Sequence, residues 1–343
     1  MHNEWDSVYG KYKLPDVCGH IITSLEFQRL REITVMGPAS WVFPSANHSM
    51  YEHSIGSAIF AHMWCSDLMN RYEFVTETDV VITTVAALLK NIGCMPWEVV
   101  FRDFVSKHGD TTKMEHASVS IASIILQREP FGGLDTNVIR DIIVGKHAPP
   151  KWVWSDSYNN RMFMFDIVNA PCNAVLVDYV VRCNTRVGIH AKIDISDIIH
   201  NSWIGKSTHL ITREIETTTV IGLGDSINRN IQGHVTASAI SVAIQSVWES
   251  CVWIKEVTQD VTMLLRVTDL TFKTDTEFIF FYSDLLARRY PILKSEREYD
   301  SWEDVDAFIR DNPTLVYHMF PCKQKLKQTF LLRVFYSLPP PYQ

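Results

Sequence analysis

From about Ile21 onward, apolar residues recur at the three- and four-residue intervals of a helix. The spacing predicts helices over residues 51–70, 79–93, 114–127 and 136–145. A short amphipathic turn and helix around Phe27, Leu30, Ile33 and Val35 precedes them. Residues 161–182 are apolar and rich in β-branched side chains such as Ile167, Val168, Val175 and Val177. Period alone leaves helix or strand open there, and the length favours helix. Breaks fall at Gly37–Pro38, Phe43–Pro44, Phe131–Gly133 and His147–Pro150. Residues 208–224, with Thr217 to Thr219 followed by Gly222 and Gly224, are the least helical stretch and predict a hairpin or loop. Helical spacing returns at 226–247, 258–270 and 275–290. Ser301 and Asp304 then resemble a capping box that opens a short helix to about Arg310, before Asn312–Pro313.

The fold class expected from this pattern is mainly α, with a smaller and less regular α+β C-terminal part. No repeat, long linker or charge block divides the chain. The expected organisation is an N-terminal extension over 1–20, one helical domain over 21–295, and a C-terminal helix and Pro-rich tail over 296–343. At 343 residues the chain is long enough to bury a large core without staples. Its formal charge of −7 gives no general pull towards nucleic acid or anionic membrane. The stretches Lys192–Lys206 and Lys323–Lys327 keep a local basic patch, and so a nucleic-acid-binding reading, open. Seven scattered cysteines with no CxxC pair read as reduced thiols, which places the expected location in the cytoplasm. Charges interrupt the apolar stretches, so no membrane span is expected.

Candidate chemistry concentrates in Phe43-Pro44-Ser45-Ala46-Asn47-His48-Ser49-Met50-Tyr51-Glu52-His53, where a proline turn delivers two histidines and a glutamate to the start of a helix. Leu89-Lys90-Asn91-Ile92-Gly93-Cys94 ends the next helix, and Glu115-His116 opens the one after. Together with Glu26-Phe27-Gln28-Arg29-Leu30-Arg31, Ile143-Val144-Gly145, Asp178-Tyr179-Val180-Val181-Arg182 and Gly188-Ile189, these segments resemble the HD-domain deoxynucleoside triphosphate triphosphohydrolases. The nearest type is the one that joins a sterile-alpha-motif domain to the HD domain. The resemblance covers roughly residues 15–290. It implies an HD-domain helical fold and a tendency to form homo-oligomers. With only some twenty residues before the match, a preceding sterile-alpha-motif domain is not expected.

The resemblance also implies a divalent or iron-type cation held by a histidine, a consecutive His-Asp pair and a later aspartate. The first histidine is His53, but the pair falls on Lys90-Asn91 and the later aspartate on Val175. An ammonium has no lone pair, an amide is a poor ligand and valine offers none. Of the family's catalytic histidines, His116 persists, while two others fall on Cys94 and Val99. The arginine that faces substrate phosphate falls on Met50. No metal or other cofactor is therefore expected. Two carboxylates and a divalent ion have been exchanged for one ammonium, which spares the cost of facing carboxylates with no ion between them. Lys90 is expected to take over part of the ion's electrostatic role.

The expected function is that of a catalytically inactive pseudoenzyme with a structural, partner-binding or nucleotide-sequestering role. An active hydrolase with a relocated ligand set would need to recruit His48, Glu52, His62 or Cys94. Candidate nucleotide contacts are Gln28, Arg31, Lys90, Asp178, Tyr179 and Arg182. The aspartate that reads guanine in the family's regulatory site falls on Thr23, so guanine-specific activation is not expected. Gly222-Leu223-Gly224-Asp225 is a weak fragment of a glycine-rich loop. The terminal Pro339-Pro340-Pro341-Tyr342 resembles a PPxY ligand of WW domains, with Pro339, Pro340 and Tyr342 as the contact residues.

Overall fold

Two capping boxes open the two helices at the centre of the molecule. Before α4 (Met50–Arg71), the Ser49 hydroxyl accepts from the Glu52 amide while the Glu52 carboxylate accepts from the Ser49 amide. Thr76 and Asp79 make the same exchange at the head of α5 (Glu77–Leu89). The two helices pack along their length through small and branched residues, Ala58, Ala61, Ala86 and Val85 among them, all fully buried. The computed structural model describes residues 2–250, apart from 96, 109–111, 129–130, 132, 146–160 and 190.

The described part is mainly helical, as the sequence pattern predicts. A short α1 (Asp16–Ile22), α2 (Leu25–Gln28) and α3 (Ala39–Val42) precede the central pair. After it come α6 (Glu98–His108), α7 (Thr112–Leu126) and α8 (Thr136–Val144). The apolar stretch expected as one helix over 161–182 is two, α9 (Met162–Asn169) and α10 (Ala174–Val187). Pro171 lies between them, and Asn173 caps the second by accepting from the Leu176 amide. α10 packs against α4, and α9 against both α4 and α5. The span 162–187 is long and apolar enough to pass a length-and-composition test for a membrane helix. It is broken at Pro171 and buries Asp166, Asp178 and Arg182 in this fold, so it reads as core.

Residues 2–14, read as part of an extension, form an antiparallel hairpin, β1 (His2–Asp6) with β2 (Gly10–Leu14). Asp6 shapes its turn by accepting from the Val8 and Tyr9 amides at 2.7 and 3.1 Å. Leu14, Cys18 and Ile21 join the core directly behind it. A second hairpin pairs β3 (Ser202–Ile204) with β4 (Leu210–Thr212), after the short α11 (Ile195–His200).

The expected hairpin or loop over 208–224 needs correction. Only its first residues are strand, and Glu214–Ile227 forms α12, so the Gly222–Asp225 fragment lies inside a helix and is no loop. The threonines that suggested a strand return their hydroxyls to carbonyls four residues back: Thr217 to Arg213, Thr218 to Glu214 and Thr219 to Ile215. Glu214 and Glu216 sit in the first turn, where the helix dipole favours them. The helix expected over 226–247 is interrupted by a π-helical turn at Asn228–Gln232 before α13 (Val235–Ser250). The helices expected at 258–270, 275–290 and 301–310, and Pro339, Pro340 and Tyr342, lie outside the described residues.

Candidate functional site

The ends of α5, α8 and α9 and the starts of α4 and α10 converge on one cavity of about 690 Å³. His53, Lys90, Asn91, Val175 and Tyr179, separated by up to 126 positions in sequence, all line it, and so do Met50, Cys94 and Val99. The sequence-predicted ligand positions are thus brought together. His116 lies on α7, with its side chain outside the described residues.

Lys90 stands at the C-terminus of α5. Its Nζ donates to the Ile143 carbonyl at 2.7 Å and to Asn169 Oδ1 at 2.8 Å. Ile143 belongs to the last turn of α8, where carbonyls lack helical partners and the dipole favours a cation. Asn169 ends α9, and its amide nitrogen donates to the Ile142 carbonyl at 2.9 Å. One ammonium therefore ties three helix ends together. Gly145, at φ +69°, allows this close approach: a Cβ there would stand 2.9 Å from Lys90 Nζ and would overlap Asn169 Oδ1.

His53 is held from behind. Its Nδ1 lies 2.7 Å from Asp178 Oδ2, and Arg182 grips the same carboxylate through Nε at 3.1 Å and Nη2 at 2.9 Å. Arg182 Nη2 also reaches Asp6 Oδ2 at 3.0 Å, so the N-terminal hairpin joins the chain of charges. Burial pushes the Asp178 carboxyl up, but the Arg182 guanidinium and the His53 ring together bring it below its ordinary value. Against an ionised Asp178, Nδ1 of His53 carries the proton, and Nε2 is the ring nitrogen left for any other partner. Asp178 and Arg182 are both 0% exposed. Neither lines the cavity: the Asp178 carboxylate faces Arg182 and His53, and Arg182 reaches Asp6 through Nη2. Gly56 on α4 leaves the space they occupy, since a Cβ there would collide with Asp178 Oδ1 and Arg182 Nη2.

Tyr179 keeps a place in the cavity wall, its hydroxyl donating to Asn228 Oδ1 at 2.7 Å. Gln28 and Arg31 do not line this cavity. They bond to each other at 2.7 Å, Gln28 also donates to the Ile22 carbonyl, and the Arg31 guanidinium lies 3.6 Å over the Tyr51 ring. Thr23 closes α1 by donating to the Gly19 carbonyl.

The residues present do not fit the ion that the resemblance implies. A donor-only ammonium and a valine stand where carboxylate and imidazole are needed, leaving His53 as the one good ligand in the set. The relocated set is not assembled either. Both carboxylate oxygens of Glu52 are engaged, by Ser49 and by Arg186 at 2.7 Å, and His48 packs on Cys183. Among the described residues, no three His, Cys, Asp or Glu side chains gather as a metal site. Sequence reading missed Asn169 and named Gly145 only as part of a motif; its place just after an apolar periodic run is the signal for its role at the helix end.

No family model matches the chain. It is 30% identical over 180 residues to the deoxynucleoside triphosphate triphosphohydrolase SAMHD1 homolog of Dictyostelium discoideum, covering 50% of this chain and 33% of that protein. The human deoxynucleoside triphosphate triphosphohydrolase SAMHD1 is 26% identical over 211 residues, which is 55% of this chain and 34% of the relative. A putative HD domain-containing protein of Acanthamoeba polyphaga mimivirus is 22% identical over 288 residues, 77% of this chain and 61% of the relative. The matched stretches therefore span between one third and under two thirds of these relatives. Their names support the HD-domain, triphosphohydrolase-like character read from the motifs.

Proposed function

We propose that this chain is a hydrolytically inactive relative of the deoxynucleoside triphosphate triphosphohydrolases, in which Lys90 replaces an ion as the tie between helix ends. The cavity is retained for binding a nucleotide without cleaving it. One observation carries this reading: the Lys90 ammonium, 2.7 and 2.8 Å from Ile143 O and Asn169 Oδ1, stands in the wall of the cavity that His53 and Val175 share. A cation fixed there repels a second, divalent one; of the two carboxylates that line the cavity, Glu98 and Asp103, the first is already tied to Arg102 at 2.6 Å. Hydrolysis of a phosphoanhydride at neutral pH needs an activated water, and without the ion this wall has no group placed to activate one, while the Lys90 ammonium suits binding of a phosphate. The cavity's 690 Å³ lies within the range of small-ligand sites, and Tyr179 offers an aromatic face beside polar groups from Asn91 and Asn228.

The test is dNTP turnover with added manganese, iron or magnesium, run beside a Lys90→His/Asn91→Asp/Val175→Asp variant. No turnover by the unmodified chain, with a dNTP-dependent rise in melting temperature, is the expected result. Turnover by the unmodified chain, or a stoichiometric divalent ion in elemental analysis, overturns the reading.

A further inference from the structure

Behind the cavity wall lies a cluster that no part of the reading above uses. Met36 comes from the turn before α3, His48 from the approach to α4 and Cys183 from α10. Cys183 Sγ is 3.5 Å from Met36 Sδ and 3.5 Å from His48 Nε2. All three residues are at most 1% exposed. Gln232, which lines the cavity, reaches Met36 Sδ with Nε2 at 3.9 Å and so separates the cluster from the open space. His48 Nδ1 is buried with no hydrogen-bond partner, a rarity for a nitrogen so far from water. The ring is thus held here at a cost, with its other nitrogen against sulfur.

A thioether, a thiol and an imidazole form a soft donor set, the kind that selects monovalent copper over hard divalent ions; burial holds the Cys183 thiol well above its ordinary value, so the metal itself must displace the proton. Bonds of about 2.3 Å to sulfur and about 2.0 Å to nitrogen put trigonal donors roughly 3.7–4.0 Å apart. The two contacts of Cys183 Sγ need widen by only a few tenths of an ångström. Charge decides between ions. The His48 ring lies within the electrostatic reach of His53, Arg182 and Arg186, with Asp178 as the opposing charge. A divalent ion that displaced the thiol proton would leave a net added positive charge in this buried site, where the surrounding carboxylates are already paired with Arg182 and Arg186. A monovalent ion exchanged for that proton leaves the charge unchanged.

We propose that Met36, His48 and Cys183 form a buried Cu(I) site, reached from the cavity past Gln232. The exchange is balanced: the Cys183 S–H bond breaks, the S–Cu bond forms, one proton leaves to solvent, and no electron moves. His48 Nε2 and Met36 Sδ donate lone pairs, while Nδ1 of His48 keeps its proton. The site stands on residues different from those of the Lys90 reading and survives if that reading fails.

The test is an anaerobic titration of the full chain with Cu(I) in competition with bicinchoninate. One equivalent withheld from the chelator is expected, with an X-ray absorption signature of two sulfurs and one nitrogen. That equivalent should be lost in Cys183→Ala, weakened about tenfold or more in Met36→Leu, and retained in Cys94→Ser, whose thiol lines the cavity instead. Added Zn²⁺ should not displace it. An equivalent that survives Cys183→Ala, yields to Zn²⁺, or is never withheld overturns the proposal. Met36→Leu conserves volume, so if Cys183→Ala fails to fold, unchanged affinity in Met36→Leu overturns it equally.

Discussion

Replacing Lys90 with methionine keeps all but the last atom of the side chain's length and removes its charge and its donors. The Ile143 carbonyl and Asn169 Oδ1 then lose partners at 2.7 and 2.8 Å. Hydrogen bonds to a charged group contribute about 1.5–3 kcal/mol each. Lys90 is only half-buried, so the lower part of that range applies and the expected loss is about 3–4 kcal/mol. For a domain of this size each kcal/mol moves the melting temperature by about 2–4 °C, so the variant should melt about 6–16 °C lower. Thermal unfolding followed by circular dichroism, without nucleotide, isolates this structural role from any part in ligand binding. Divalent ions should not restore the variant, since Asn91 and Val175 still stand beside His53 where carboxylate ligands are needed. They should stabilise the Lys90→His/Asn91→Asp/Val175→Asp chain, and a chelator should undo that gain. A Lys90→Met melt within about 1 °C of the parent would show that the ammonium ties nothing, and the argument for a protein group in place of an ion would fall.

Gly56→Ala forces a methyl into Asp178 and Arg182, and should cost about 1–3 kcal/mol for overpacking, with more if the ion pair opens; urea unfolding measures it. Asp178→Asn keeps the shape but leaves Arg182 with Asp6 as its remaining carboxylate, and a loss of about 3–5 kcal/mol is expected in the same assay. Burial lowers the His48 imidazole to about 3, so the unfolded chain binds its proton first as pH falls. Stability from this group is complete above the unfolded value near 6.5 and declines by up to about 1.4 kcal/mol per pH unit down to about 3. His48→Leu should therefore show a shallower loss of stability between pH 6 and 4 than the parent, and parallel curves would contradict the assignment. Gly145→Ala should destabilise the parent more than it does Lys90→Met, because its Cβ crowds the Lys90 ammonium; equal losses in both backgrounds would deny that contact.

Helices with an unbroken apolar stripe were legible from period alone. Residues 51–70 against Met50–Arg71 and 136–145 against Thr136–Val144 differ by at most a residue at either end. The motif residues were legible as a set for a different reason: His53, Lys90, Asn91, Val175 and Tyr179 keep the order and spacing of a known constellation, and the fold gathers them. Thr217 to Thr219 misled because β-branched residues favour strands on average, whereas their hydroxyls here bond within the helix. The partners of Lys90 and Arg182 were not legible. Asp6 meets Arg182 across 176 positions and Asn169 meets Lys90 across 79, and no local pattern encodes contacts at that range.

The first hairpin has a practical reach beyond its size. Asp6 both shapes the turn and holds Arg182, which holds Asp178, which fixes the His53 ring at the cavity. A tag fused ahead of β1, or a protease nick before Gly10, thus acts on the cavity histidine by way of three successive ion pairs and hydrogen bonds. Ligand affinities measured on chains with altered first residues will report the integrity of that hairpin as much as the chemistry of the cavity wall.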